Sequence, residues 1–230
     1  MIIHGLQKLT LVDYPGRMAA ILFTGACNFR CPFCHNGSLV LNPNKEPVIP
    51  EEEVFEFLKK RQKMLDCVVV SGGEPTINKD LLSFLGRIKE LGYSVKLDTN
   101  GYRPEVLEEA IKQGLVDYVA MDIKNSLDAY PKTTGLSFFS EENIKRSTAL
   151  LLSGEVDYEF RTTVVKEYHY RENFEKIGAW LKGARRYYLQ SFADSEDTIE
   201  KGLNPPTLED LKNYQDILKS YIDNVQIRDM

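Results

Sequence analysis

The stretch CVVVSGGEPTINKDLLSFLGRIKELG, residues 67–92, decides the fold. It reads as a buried strand from Cys67 to Ser71, then a glycine turn, then an amphipathic helix with Leu81, Leu85 and Ile88 at i, i+4 and i+7. Gly92 stands just past that helix, where a left-handed residue ends it. The result is one βα unit, and the same form recurs on both sides.

Upstream, Ala19 to Phe23 predicts a strand, followed by a helix from near Pro50 with Val54, Leu58 and Leu65 on one face. Downstream, Val95 to Asp98 is the third strand, with Pro104 in the first turn of its helix and Gly114 closing it. Tyr118 to Met121 is the fourth. A loop around Pro131 to Gly135 leads to a helix from about Glu141 to Ser153. Tyr158 to Val165 and Arg186 to Gln190 are strands five and six, with a helix from Glu172 to Leu181 between them. Ala193 to Pro206 is polar and loop-like. A capping box at Thr207 opens a last helix striped by Leu211, Tyr214, Leu218 and Ile222.

Six βα units predict an α/β fold with a parallel sheet. A complete eight-unit barrel usually takes about 250 residues, so six units here indicate a partial (β/α)6 TIM-like barrel with a gap on one side. An open doubly wound sheet shares the same periodicity. The expected organisation is a single domain over residues 1–230, with a core from about 19 to 190, an N-terminal segment 1–18, and a C-terminal loop and helix over 191–230.

The chain has 43% hydrophobic and 27% charged residues and a formal net charge of −5 spread over mixed Lys and Glu. Nucleic acid is an unfavoured partner on that balance. The start lacks a signal pattern, and no apolar run nears the roughly 20 residues of a membrane helix, so a cytoplasmic location with no membrane contact is expected. Three of the four cysteines fall within eight residues, closer than a disulfide framework uses.

Those three are Cys27, Cys31 and Cys34, on the loop after the first strand, where parallel α/β folds place their chemistry. Three thiolates on a 4Fe-4S cube leave one iron without a protein ligand. Structural zinc is the competing chemistry, with His35 or Cys67 as the fourth ligand. Spacing disfavours it: His35 is adjacent to Cys34, and Cys67 opens a buried strand as an inert thiol.

The run Cys27-Asn-Phe-Arg-Cys31-Pro-Phe-Cys34 resembles the CxxxCxxC signature of the radical S-adenosylmethionine (SAM) superfamily, and Gly72-Gly73-Glu74-Pro75 resembles its GGEP motif. The resemblance implies one 4Fe-4S cluster on Cys27, Cys31 and Cys34, and SAM held through Gly72, Gly73, Glu74 and Pro75, with Glu74 and the backbone receiving the methionyl amino group. Asp98-Thr-Asn100-Gly and Asp122-Ile-Lys124 are similar to segments of glycyl-radical-enzyme activating proteins. That likeness implies cofactor contacts by Asp98, Asn100, Asp122 and Arg161, Lys124 facing the SAM carboxylate, and a monovalent cation at Asp98 and Asp122. Gln190 stands where some relatives have a His near the adenosine. No catalytic residue beyond the cluster and SAM is nominated.

Leu11-Val-Asp13-Tyr14-Pro15-Gly16 with Cys34-His35-Asn36 resembles the activators of anaerobic ribonucleoside-triphosphate reductase. The implied partners are a glycyl radical enzyme as protein substrate and a flavodoxin- or ferredoxin-type electron donor. His35 and Asn36 have a bland reading as a cap of the loop. Two other functions fit parts of the pattern: a radical SAM enzyme acting on a metabolite, such as a 7-carboxy-7-deazaguanine synthase, and a non-catalytic iron-sulfur electron carrier.

Overall fold

The computed structural model describes residues 1–228. The strands are β1 (Ile3–Thr10), β2 (Ala19–Thr24), β3 (Cys67–Gly72), β4 (Ser94–Thr99), β5 (Tyr118–Asp122), β6 (Asp157–Val164), β7 (Tyr187–Ser191) and β8 (Val225–Arg228). They form one eight-stranded sheet in sequential order, with β1 antiparallel to β2 and every later pair parallel. β1 and β8 are its free edges, so the sheet is an unclosed barrel.

The helices are α1 (Gly37–Leu41), α2 (Glu51–Arg61), α3 (Leu81–Glu90), α4 (Pro104–Lys112), α5 (Tyr130–Thr134), α6 (Glu141–Leu152), α7 (Arg171–Trp180) and α8 (Leu208–Lys219). The six expected βα units are present from β2 to α8, flanked by two strands that the sequence reading did not contain. β1 lies in the segment 1–18 expected outside the core: Gly5, Gln7 and Lys8 blur its alternation, and only Ile3 and Thr10 of its eight residues are buried. β8 is four residues long, too short to carry a period. The sheet therefore extends beyond the expected 19–190 core. Pro131 to Gly135, expected as loop, is mostly the short helix α5, with Gly135 left-handed at its C-cap (φ 67°). Helix α8 ends at Lys219, and Ile222 is buried beyond it.

Alternation along each strand explains where the core and the site lie. On β3 and β4, Val68, Val70, Val95 and Leu97 join Leu81, Leu85, Ile88 and Leu107 in the layer between sheet and helices. The opposite parity faces the barrel interior, where Ala19, Ile21, Cys67, Val69 and Tyr118 form a separate apolar cluster with Tyr14. Lys96, Asp98, Asp122, Glu159 and Arg161 share that inward parity. At one end, Arg228 of β8 makes two bonds of 2.8 and 3.0 Å to Glu159, which is 0% exposed, and the Tyr118 hydroxyl donates to the same carboxylate at 2.8 Å. A buried charge is tolerated only when paired in this way, which gives the short last strand a definite task. At the other end, the C-terminal ends of the strands open onto a cavity.

Candidate cluster and cofactor site

The cavity holds about 280 Å³ and its walls include Cys27, Cys31, Cys34, Gly72, Gly73 and Glu74. Asp98, Asn100, Asp122, Lys124, Arg161 and Gln190 complete the set brought together from six strand ends. Of the residues expected to hold a cofactor, Pro75 alone is set back: it is buried and starts the 3-10 turn after the glycines. Cys67 lies at the far end of β3, its thiol 3.5 Å from the Met18 carbonyl and away from the other three cysteines.

Backbone contacts bring the cysteine and glycine loops together. Gly73 donates to Thr24 O at 2.8 Å and Glu74 to Ala26 O at 2.9 Å. Gly72 has φ +111°, and a Cβ there would meet Thr24 N at 2.3 Å, so both its conformation and its surroundings require glycine. Asn36 departs from the capping expectation: it occupies the N-cap position of α1 without a capping bond, and its Nδ2 donates instead to Gly72 O at 2.9 Å. His35 packs against Phe192 in a tilted arrangement, with centroids 5.4 Å apart.

Glu74 is 1% exposed and its carboxylate is already engaged. Thr76 donates from N and Oγ1 at 3.1 and 2.5 Å, Thr99 Oγ1 at 2.7 Å and Asn100 N at 2.6 Å. Burial pushes its carboxyl upward in pKa, against these donors. Its first role is thus to lock the β3 loop to the β4 loop. Asn100 extends the lock: its Nδ2 donates to Asn28 Oδ1 at 2.8 Å and lies 3.8 Å from Cys27 Sγ.

Charge is concentrated on the opposite wall. Arg161 bridges both aspartates, its Nε on Asp122 Oδ1 and an Nη 3.2 Å from Asp98 Oδ2, while Lys124 Nζ lies 3.0 Å from Asp122 Oδ2. Burial works against ionisation, yet the guanidinium and ammonium hold Asp122 well below the usual carboxylate range, and Asp122 raises Lys124 in return. Asp98 is lowered by Arg161 and Lys96 against the same burial.

Several residues of this end have no site role in the sequence analysis, Asp13 of the Leu11–Gly16 motif among them. Asp13 reaches the cavity wall from the β1–β2 loop, whose Tyr14 packs on Tyr118 at 5.5 Å. Lys96 was legible in principle, because it alternates onto the same face as Asp98. His169 is buried behind Lys124, with Nε2 2.8 Å from Lys124 O, and Val165 N donating to Nδ1 at 3.0 Å. Those bonds fit a neutral ring, and burial pulls its pKa down to about 4. The unfolded chain then takes up this proton near pH 6.5 while the folded chain resists until about 4. Stability is complete above pH 6.5 and falls as pH drops through that window, by roughly 3 kcal/mol from this group. Urea unfolding across pH 4–7 checks this, with a shallower slope expected for His169→Gln.

The residues fit an iron-sulfur cluster and a polar cofactor on two observations. Cys27, Cys31 and Cys34 line one cavity, where Lys124 favours their thiolates against the burial that raises all three thiols. Among the described residues, the buried side-chain polar atoms without a hydrogen-bond partner are Asn28 Nδ2, His35 Nε2 and Asp98 Oδ1, all on the site's own loops and strand ends. Asp98 Oδ1 is ion-paired with Lys96 at 3.3 Å, and the two nitrogens are donors left for a group that the site would bind. No group of three or more His, Cys, Asp and Glu among the described residues is gathered for a single metal ion. A cube asks for a wider set, because its protein ligands bind different irons.

Comparison with known proteins agrees with this geometry. The family model described as "Radical SAM superfamily" matches residues 21–177. A protein of Methanocaldococcus jannaschii, whose name assigns it provisionally to the glycyl-radical enzyme activating enzymes, is 37% identical over 99% of this chain and 95% of its own length. The pyruvate formate-lyase-activating enzyme of Clostridium pasteurianum is 33% identical over 58% of this chain and 57% of its own. In fold, the chain is similar to Streptococcus suis SuiB bound to S-adenosylmethionine, with a TM-score of 0.67 at 15% identity, covering 90% of this chain and 51% of that one.

Proposed function

From the premise that this chain belongs to the radical SAM superfamily, we propose that it is a glycyl-radical-enzyme activating enzyme that abstracts hydrogen from a glycine Cα of a separate protein. The observation that carries the reading is the 37% identity running the whole length of a relative named for that activity. The sheet's open side, between β1 and β8, suits a protein loop as substrate better than a sealed barrel would. The motifs at Leu11 to Gly16 and Cys34 to Asn36 favour anaerobic ribonucleotide reductase as the partner. A flavodoxin- or ferredoxin-type protein is the expected electron donor, and the cytoplasm the expected location. Among the described residues no helix is long and apolar enough to cross a membrane.

Cys27, Cys31 and Cys34 would hold the cluster. When bound, the cluster supplies the single electron that splits SAM into methionine and a 5'-deoxyadenosyl radical. The chain's own residues orient that cofactor. Lys124 and Arg161 line the cavity as its cations, and Lys124, which shares the wall with all three cysteines, suits the SAM carboxylate. The backbone around Gly72 and Gly73 would take the amino group, beside Asp98, whose Oδ1 is ion-paired with Lys96 at 3.3 Å. Asn100 and Gln190 line the wall left for the adenosine. Hydrogen abstraction needs no general base, so positioning carries selectivity.

The test is a mixture of anaerobically reconstituted chain, SAM, reductant and a candidate glycyl radical protein. A carbon-centred radical signal on the candidate, lost when its radical glycine is replaced by alanine, is expected. Formation of 5'-deoxyadenosine without any such signal across candidate partners would favour a metabolite substrate.

A further inference from the structure

On β4 the inward charged side chains are Lys96 and Asp98, and Lys96 is 2% exposed. Its ammonium donates to the Asp13 carbonyl, lies 3.3 Å from Asp98 Oδ1, and sits 5.9 Å from the centre of the Tyr118 ring. With it, every carboxylate oxygen of the aspartate pair faces a protein cation. Asp98 Oδ1 faces Lys96 and Oδ2 faces Arg161, while Asp122 Oδ1 faces Arg161 and Oδ2 faces Lys124. A carboxylate oxygen together with a backbone carbonyl is a hard-oxygen donor set of the kind an alkali ion takes. Here that set is filled by an ammonium on a tether, and an added K⁺ or Na⁺ would stand among three like charges.

We propose that Lys96 substitutes for a monovalent cation at the cofactor site, pinning the Leu11–Arg17 loop to Asp98 and making SAM binding independent of K⁺ and Na⁺. This departs from the cation expected at Asp98 and Asp122 by resemblance. The inference rests on the SAM-binding part of the reading above and is indifferent to which substrate the enzyme attacks.

Equilibrium dialysis of SAM against the anaerobically reconstituted chain tests it, in KCl, NaCl or tetramethylammonium chloride at equal ionic strength. Wild-type affinity is expected to agree within about twofold in the three salts, whereas Lys96→Met loses about tenfold in tetramethylammonium and recovers most of it in K⁺. A second readout needs neither cluster nor turnover: K⁺ raises the thermal midpoint of iron-free Lys96→Met saturably and leaves the wild-type midpoint unmoved. Tenfold weaker SAM binding by wild type in tetramethylammonium would overturn the proposal, and so would a variant as indifferent to K⁺ as wild type. Should Lys96→Met fail to fold, the wild-type salt series decides alone. Absence of SAM binding in every salt would strike the family-level reading instead, and the thermal comparison would then decide the role of Lys96.

Discussion

Cys31→Ala is expected to yield a folded chain that retains little iron after anaerobic reconstitution and forms no detectable 5'-deoxyadenosine from SAM and dithionite. Cys31 is buried, lines the cavity, and its carbonyl accepts from Cys34 N at 3.0 Å to shape the turn that presents the third thiol. Alanine keeps that backbone turn and removes only the sulfur, so the fold should survive while the ligand set is broken. Removing a buried polar ligand in the absence of metal costs little packing, on the order of 1 kcal/mol. Iron analysis, product chromatography and a thermal melt together separate loss of the cluster from loss of the fold. Cys67→Ala is the informative control, since that thiol sits among Tyr14, Ala19 and Ile21 at the far end of β3 and should leave iron content unchanged.

The second large effect comes from a single added methyl. In Gly73→Ala the new Cβ would stand 1.8 Å from Ala26 O, the same carbonyl that accepts from Glu74 N. Neither atom is on a flexible side chain, so the glycine loop and the cysteine loop must separate. Overpacking of this kind costs about 1–3 kcal/mol. The larger consequence is functional, because the separation moves the thiols away from the glycines. At least a tenfold loss of SAM affinity is expected, together with poor iron retention. Gly92→Ala provides the contrast: unlike Gly73 it has a positive φ, +83°, but nothing lies within 4 Å of its added Cβ. That variant should show backbone strain of about 1 kcal/mol and normal iron and SAM binding. Equal damage from both substitutions would mean that the close approach at Gly73 is not what assembles the site.

The parts of this molecule legible in the sequence are those written in short-range pattern. The 67–92 unit has a three-valine strand, a glycine turn and a helix with a clear stripe, and it appears where expected. The three cysteines stand out by spacing and residue type and the Gly72–Glu74 turn by its resemblance to the superfamily's motif, and their loops do meet. Glu74 was harder to read. Its neighbours in sequence suggest a ligand to a cofactor, whereas Thr99 and Asn100, which occupy its carboxylate, come from the next strand. Lys96 and His169 were missed for related reasons. A lysine in Ser94-Val-Lys96-Leu-Asp98 looks like an ordinary solvent-facing strand residue until the barrel closes around that face, and His169 acquires its role only through Lys124, 45 positions away. β1 and β8 were missed because edge strands need not alternate strongly when one face is left partly exposed.

The account stands on a cluster that the polypeptide grips at three corners, and the most direct measurement is of the metal itself. Anaerobically purified chain should carry iron and sulfide in the proportions of a 4Fe-4S cluster. Its reduced electron paramagnetic resonance spectrum should change when SAM is added, as expected of an iron without a protein ligand. A stoichiometric zinc ion held entirely by the chain's own side chains, or a cluster whose spectrum is indifferent to SAM, would contradict it.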